Sequence, residues 1–353
     1  MKILLAGDWH SGIHEESAFQ AMKNLGHEVT AFAWFQYFKQ GSSISHLLGR
    51  AQNKYLLGPT IDRLNHDLAR MALKVRPDII FIYRGTHVYP RTLMQLRQSN
   101  PRAIIVGYNN DDPFSPAYPR WVWRHFLASI PEYDVLFAYR QHNVEDFTRA
   151  GARSAQLLMP WFTDSLHHPM TLSASELEKF KSDVCFIGHF EPDERVEYLR
   201  EVSRAGVNLK IWGPSEGWAD ALRGIPELRN QLPVVPVRGT DYVRALSGAK
   251  IALAFFSKLN RDVYTRRSFE IPATGTFMLS AHSPQIEKLF QEKVEASYFR
   301  SADELVSKTL HYLHYNNERE SIARGGYERV HSDGHESIER MRQMLEIVND
   351  HRA

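Results

Sequence analysis

What most constrains this chain is a recurring unit: a short, almost wholly apolar run, a polar turn, then a segment whose apolar residues recur at helical spacing. Lys2 to Ala6, His27 to Ala33, Ile79 to Tyr83, Ala103 to Tyr108 and Asp134 to Ala138 are such runs. A strand that is apolar on both faces fits a parallel sheet covered by helices on both sides, not a half-solvated antiparallel one. Between the runs, Ala18, Met22 and Leu25 make a helical stripe that ends at Gly26, and Asn65 to Val75 makes another. A glycine just past the last periodic residue is a common helix stop, because it enters the left-handed region without strain.

The unit restarts after Met159 to Ser173, a stretch with Pro160, His167, His168 and Pro169 and no sustained period, and the linker is placed there. Asp183 to Ile187, Asn208 to Trp212, Lys250 to Phe256 and Phe277 to Ser280 read as strands, and Arg195 to Ala205, Asn317 to Val330 and Ser337 to Val348 as helices. Ser301-Ala302-Asp303-Glu304 predicts a capping box opening a further helix with Leu305, Leu310 and Leu313 inside. The pattern predicts an α/β protein of two domains, each with its own parallel sheet: residues 1–165, residues 175–335, and a closing helix over 336–353 that packs back on the first. Solenoid-period repeats and low-complexity tracts are absent from the sequence.

The 353 residues carry 43 Lys and Arg against 41 Asp and Glu, a formal charge of +2, with 43% hydrophobic residues. Such a chain builds a core, which excludes disordered and fibrous classes. The charge balance gives no strong global field toward nucleic acid or anionic lipid, so any basic patch is local and a nucleic-acid partner is not expected. One cysteine, Cys185, makes neither an internal disulfide nor a cysteine zinc site and fits a reducing compartment, with the cytoplasm as the expected location. Met1 to Gly7 is too short for a signal peptide, and Ile79 to Ile82 and Ile251 to Phe256 fall far below a membrane span. Peripheral membrane contact stays open.

Ligands of open parallel sheets bind beyond the carboxyl ends of the strands, where helix N-termini turn unpaired N–H groups toward an anion. The stretch Asp262 to Gly275 is placed for this, since it follows a buried strand and precedes Phe277-Met278-Leu279. It sets Asp262 and Glu270 eight positions apart around the pair Arg266-Arg267. A carboxylate accepts hydrogen bonds from both hydroxyls of a ribose, and a planar guanidinium suits a diphosphate. The competing reading is a solvated helix with a surface arginine pair.

The segment Arg267-Ser268-Phe269-Glu270-Ile271-Pro272-Ala273-Thr274-Gly275-Thr276-Phe277-Met278-Leu279 resembles the C-terminal signature of the CgeB-like (spore maturation) glycosyltransferases, within the larger group 1 glycosyltransferases. Tyr133 to Phe137, Asp183 to Gly188, Ile211-Trp212-Gly213 and Ile322 to Val330 resemble further blocks of that family in the same order, so the likeness spans roughly residues 75 to 345. It implies a GT-B architecture: two Rossmann-like domains facing across a cleft, the nucleotide-sugar donor on the C-terminal one and the acceptor on the N-terminal one. By the same resemblance Glu270 contacts the donor ribose, and the first acid of the family's pair falls on Asp262, a shorter side chain. The family's diphosphate arginine after the first C-domain glycine corresponds to His189 behind Gly188, a departure for which Arg195, Arg266 or Arg267 would compensate.

The polar loops at the other strand ends supply the remaining candidates. Asp8 and His10 are placed as a general base toward an acceptor hydroxyl, with helix capping as the alternative role of Asp8. Asp111 and Asp112, in Tyr108 to Pro113, are placed to orient an acceptor, against a plain Asn-Asp-Pro turn. Trp212-Gly213 is placed at the donor base, and Gly188 and Gly275 where backbone approaches the donor. Trp34, Phe35, Tyr37, Phe38, Trp121 and Trp123 are core aromatics or, where exposed, a surface for sugar rings or a lipid-linked acceptor. Neither Asp-x-Asp nor a metal-spaced histidine set occurs, so no metal and no cofactor is expected, and the histidines are read as scattered core and surface residues. With the family resemblance, which implies retention of the anomeric configuration, the expected function is a metal-independent transfer of sugar from a nucleoside-diphosphate sugar to a hydroxyl of a glycan, small molecule or protein. The alternatives are a nucleotide-sugar epimerase or hydrolase on the same scaffold, and a degenerate nucleotide-sugar-binding module.

Overall fold

The computed structural model describes residues 1–39 and 43–351, with the side chains of residues 43–46 also left undescribed. The chain forms two units, Met1–Pro160 with Ser337–Ala353, and Trp161–Glu336. The first holds β1 (Lys2–Gly7), α1 (Glu15–Asn24), β2 (Glu28–Ala33), α2 (Ser43–Tyr55), α3 (Pro59–Val75), β3 (Ile79–Tyr83), α4 (Pro90–Ser99), β4 (Ile104–Asn109), α5 (Arg124–Ser129), β5 (Val135–Ala138), α6 (Gln141–Arg149) and β6 (Ala155–Leu157). The second holds α7 (Ala174–Phe180), β7 (Ser182–Ile187), α8 (Arg195–Arg204), β8 (Leu209–Trp212), α9 (Trp218–Arg223), α10 (Thr240–Ser247), β9 (Ala249–Ala254), α11 (Arg267–Ala273), β10 (Phe277–Ala281), α12 (Pro284–Leu289), β11 (Ser297–Phe299), α13 (Ala302–His314) and α14 (Asn316–Ser332). The closing helix α15 (Ser337–Asp350) returns to the first unit and packs on α1.

Both sheets are parallel throughout, in the order β2-β1-β3-β4-β5-β6 and β11-β10-β9-β7-β8. The central strands explain their apolar composition: all of β3 and β4 is buried, and so is β5. Leu4, Ile80, Ile105 and Leu136 carry one core, and Val184, Ile211, Ile251 and Leu279 carry the other. Crossover connections bring each following helix back over the sheet, so its N-terminus stands at the strands' carboxyl ends.

Local signals worked unevenly. Gly26 turns the chain at φ +83° after α1, as its position predicts. The helix expected over Asn65 to Val75 starts earlier, at Pro59, a residue suited to the first helical position, and its buried stripe runs back through Leu64 to Ile61. Ser301 caps α13 through its Oγ and the N–H of Glu304, but the Glu304 carboxylate accepts from Arg300 N at 2.8 Å instead, so only half of the expected box forms. The complete capping box is at Ser173 and Glu176, opening α7. Gly325 and Gly326, inside α14, let that helix lie on backbone, since a Cβ would fall 2.2 Å from the Val294 carbonyl oxygen or 2.4 Å from that of Glu295. No helix among the described residues is long and apolar enough to cross a membrane.

Candidate functional site

In the second unit the strand ends gather Gly188 after β7, Tyr242 in α10, and Arg266, Arg267 and Glu270 at the start of α11. The solvated-helix reading does not hold: Ser268 and Phe269 have no exposed surface and Glu270 is 3% exposed. One Glu270 oxygen, Oε2, accepts from the Tyr242 hydroxyl at 2.7 Å. The other, Oε1, is buried without a hydrogen-bond partner, with His167 Nε2 at 3.7 Å and Arg266 Nε at 4.0 Å. Thr163 N–H donates to His167 Nδ1 at 2.9 Å, which puts the neutral ring's proton on Nε2, facing that oxygen. Burial lowers the His167 pKa, against the raising charge of Glu270, and burial with the same charge pushes the Tyr242 phenol well above its ordinary value. The carboxylate is thus anchored at one oxygen, with an acceptor position left at the other.

Arg267 differs from its neighbours. Among the described residues it has no hydrogen bond or ion pair, and a Cβ on Gly188 would stand 3.3 Å from its Nη2. Arg266, by contrast, donates from Nη1 to the Trp161 carbonyl at 3.1 Å and lies over that indole. His189 is exposed beside Arg267; desolvation, and then the Arg267 charge, lower its pKa, so it stands neutral near pH 7 as a donor rather than a cation.

Four expectations for this unit need correction. Arg195 is not available to a diphosphate: its Nε and Nη2 hold Asp193 at 2.7 and 2.8 Å, Nη1 donates to the His189 carbonyl at 2.7 Å, and Glu191 is 3.3 Å away. Its work is to shape the loop behind Gly188. Gly275 does not meet a ligand at the strand ends, because it precedes the amino end of β10 whereas Gly188 follows the carboxyl end of β7; its φ of +70° is the helix stop after α11. Trp212 packs its ring on Phe180 at 5.8 Å, so it does not lie open over a base. Gly213 is required by protein rather than by a ligand, since a Cβ there would be 2.1 Å from the Gly188 carbonyl oxygen. Asp262, finally, closes its own loop through Ser257 N at 3.4 Å and lines an open pocket of about 460 Å³ with Asp193, Tyr198, Phe255 and Lys258; Glu270, Arg267 and Gly188 do not line it.

In the first unit the ends of β1, β3 and β4 carry the polar residues. Asp8 Oδ2 lies 2.9 Å from His10 Nδ1. It caps nothing: the residue preceding α1 is His14, and the carboxylate at that helix end is Glu15, whose Oε1 accepts from Asp8 N–H at 2.8 Å. Glu15 is 2% exposed, burial raises its pKa, and its Oε2 has no partner. Gly7 makes room for it, since a Cβ there would be 2.4 Å from Glu15 Cγ. Asp111 pairs with Arg84 Nε at 2.9 Å, tying the end of β4 to that of β3. Asp112 cannot orient an acceptor as expected: it has no exposed surface and accepts from Phe114 N at 3.0 Å and Asn143 Nδ2 at 2.8 Å. The Asn-Asp-Pro turn is its reason for being there.

His167, Tyr242 and Glu15 escape a sequence reading. His167 lies 103 positions from Glu270 in a stretch without period; it is a core histidine, 1% exposed, and the sequence does not reveal that it faces a carboxylate. Asp164, His331 and Glu336 likewise come together from distant positions, with one potential ligand atom each within 4.8 Å of the others.

A family model described as glycosyl transferase-like matches residues 195–346. No curated protein matches the chain. Among solved structures, HepE from Anabaena in complex with UDP and glucose aligns with a TM-score of 0.66 at 14% identity, over 99% of this chain and 100% of that one. Sucrose-phosphate synthase from Thermosynechococcus elongatus aligns with a TM-score of 0.70 at 13% identity, over 99% and 98%. A putative UDP-N-acetylglucosamine 2-epimerase from Listeria monocytogenes aligns with a TM-score of 0.60 at 12% identity, over 99% and 96%. Two parallel-sheet Rossmann-like domains with these neighbours define the GT-B architecture. The family match adds a glycosyl transferase-like sequence over α8 to α15, the stretch that carries Arg267 and Glu270.

Proposed function

We propose that this protein is a glycosyltransferase of GT-B type, of the CgeB-like kind, that holds a uridine-diphosphate sugar on its second unit and passes the sugar to a hydroxyl acceptor, with no metal ion. The observation that carries the reading is the first turn of α11, where an unengaged guanidinium, Arg267, and a carboxylate oxygen without a partner, Glu270 Oε1, stand on one element beside Gly188. A ribose hydroxyl completes Glu270 after a small rearrangement of its buried surroundings, and the diphosphate meets Arg267 and His189. HepE was solved with UDP and with UDP-glucose, which favours uridine as the base.

Departure of the nucleoside diphosphate concentrates negative charge on phosphate oxygens, and fixed cations that need no reorganisation stabilise that charge better than water does. Arg267 fills this role, while Tyr242 and His167 keep Glu270 turned toward the ribose. Retention of the anomeric configuration follows if the departing phosphate takes the acceptor proton, which the proposal assigns to it. Asp8 with His10 then positions the acceptor rather than deprotonating it. Thermal melting against a panel of uridine, guanosine and adenosine diphosphates and their sugars tests the reading, because a ligand of the native state raises Tm with its occupancy. Uridine compounds are expected to raise Tm in the wild type, with the shift lost in Glu270→Gln and Arg267→Gln. A panel without any shift, or variants that shift as the wild type does, overturns the proposal; product anomer analysis by NMR and turnover in the presence of chelator test its retaining and metal-free parts.

A further inference from the structure

The helix α2 is amphipathic the wrong way round for a protein core. At 3.6 residues per turn, Leu47, Leu48, Ala51 and Tyr55 share one arc of about 100°, while Gly49 and Asn53 lie opposite. The apolar arc is the exposed one: Leu47 is 64%, Leu48 59% and Tyr55 50% exposed, and Leu57, just past the helix, is 51%. The opposite side carries a buried glycine, Gly49, and Asn53, which is itself exposed and whose Oδ1 lies 2.8 Å from His87 Nε2. Trp121 extends the patch, with its ring 5.4 Å from that of Tyr55. Arg124 and His125 fix the two segments together by bonding the Leu56 carbonyl at 3.2 and 2.8 Å.

Charge around the patch is largely of one sign, and Asp62 at its edge is held by Arg91 Nη2 at 3.0 Å. No Asp or Glu occurs from Val29 to Ile61 or from Pro113 to Pro131, in a chain with 41 acids over 353 residues. Lys39, Arg50, Lys54, Arg120 and Arg124 fall in those same two stretches. Arg50 and Lys54 flank the apolar arc on the helix, and both are exposed. Exposed leucines with an aromatic pair, rimmed by cations that outnumber the one neighbouring acid, complement a surface that is apolar below and negative above. An interfacial helix on anionic lipid has this arrangement. A protein partner's apolar groove would not require the acids to be absent over both stretches, and nucleic acid would not require the leucines.

We infer that α2, with Tyr55 to Leu57 and Trp121, docks the first unit on an anionic phospholipid surface. This surface stands apart from the donor reading, and its test involves no turnover. The full chain is mixed with vesicles of phosphatidylcholine alone or with one third phosphatidylglycerol, and the bound fraction is read by flotation, with Trp fluorescence as a second readout. Binding to the anionic vesicles only, with a blue shift, is expected, and raised salt weakens it. Leu47→Ser/Leu48→Ser/Leu57→Ser and Arg50→Glu/Lys54→Glu each reduce binding at least about tenfold, while Leu73→Ser, an equally exposed leucine on α3, leaves it unchanged. Because the altered side chains are exposed, Tm serves as the folding control. The inference is overturned if neither vesicle binds, if both bind alike, if the variants bind as the wild type does, or if the patch instead drives dimerisation in buffer or retention of an oligonucleotide.

Discussion

The two units share one topology and differ in the polar groups that line their strand ends. In the second unit the groups are buried and few: Glu270 on Tyr242, with His167 behind it, and Arg267 as the unengaged cation. In the first, the loop pairs Asp8 with His10 and Arg84 with Asp111 keep partial contact with water, although Glu15 and Asp112 beside them are buried. A buried, singly anchored carboxylate is a rigid acceptor whose position does not depend on salt, and that suits one recurring ligand part such as a ribose. Loop pairs in partial contact with water exchange partners at little cost, which suits a variable acceptor. On the proposed function, the buried Glu270 serves as the fixed half-site and the exposed loop pairs of the first unit as the adaptable one.

Packing at the glycines separates the units most sharply. In Gly213→Ala the new Cβ would fall 2.1 Å from the Gly188 carbonyl oxygen, which Trp218 Nε1 also holds at 3.0 Å. Backbone on both sides leaves nothing to move, and a loss of about 4 kcal/mol or more is expected, as for other severe overpacking. In Gly107→Ala the nearest atoms belong to side chains, Leu136 and Tyr133, which can rotate away, and about 1–3 kcal/mol is expected. Urea unfolding of both variants measures the difference; equal losses would mean the second unit's strand ends are no stiffer than the first's.

The proposed donor site gives the next largest effect. Glu270→Gln keeps the shape and the Tyr242 contact but weakens the acceptor facing the ribose, and a fall in kcat/KM of about a hundredfold, some 2.7 kcal/mol, is expected. Asp111→Asn, on the adaptable side, is expected to lower it less than about tenfold. Steady-state kinetics with a fixed donor decides between them, and a reversed order would exchange the roles of the units.

A sequence reading reaches these two halves unequally as well. The all-apolar strands announced both sheets, because burial on two faces leaves no room for polar alternation. Glu270 and Arg267 were legible because one helix turn carries both. Tyr242 and His167 were not, since the contacts that fix Glu270 come from 28 and 103 positions away and neither residue sits in a local pattern. Arg195 is misplaced by the sequence for the related reason that its closed ion-pair knot with Asp193 and Glu191 is set by loop geometry, which no local pattern reveals. Gly275 and Gly188 read alike as glycines near strands, and only the direction of the strands separates them.

Acid reaches the first unit through His87, which is 8% exposed and whose pKa burial lowers from 6.5 to about 4. The unfolded chain binds this proton at pH 6.5 and the folded one does not, so stability present above pH 6.5 is lost as pH falls toward 4, by about 3 kcal/mol at most. The urea midpoint of His87→Gln is expected to vary less over that range than the wild type's. An equal slope would show that His87 finds a proton without unfolding.

The smallest effect belongs to the Asp8 and His10 pair, and its sign runs the other way for one partner. Burial raises the Asp8 pKa, but the His10 hydrogen bond and charge outweigh it and hold it below the ordinary 3.8. The Asp8 hydrogen bond, against the lowering effect of burial, lifts His10 above 6.5. Asp8 therefore contributes stability above pH 3.8 that is lost as pH falls through its lower folded value. His10 contributes stability below pH 6.5 that is lost as pH rises through its higher folded value. The pair is complete only between those limits, and with His10 55% and Asp8 32% exposed it contributes less than about 1 kcal/mol. Asp8→Asn should cost most near pH 5 to 6 and little at pH 8.5, where His10 is neutral in both proteins. His87 titrates far below pH 8.5, so a penalty that persists unchanged there would assign the stabilisation to hydrogen bonding by the Asp8 carboxylate rather than to its charge.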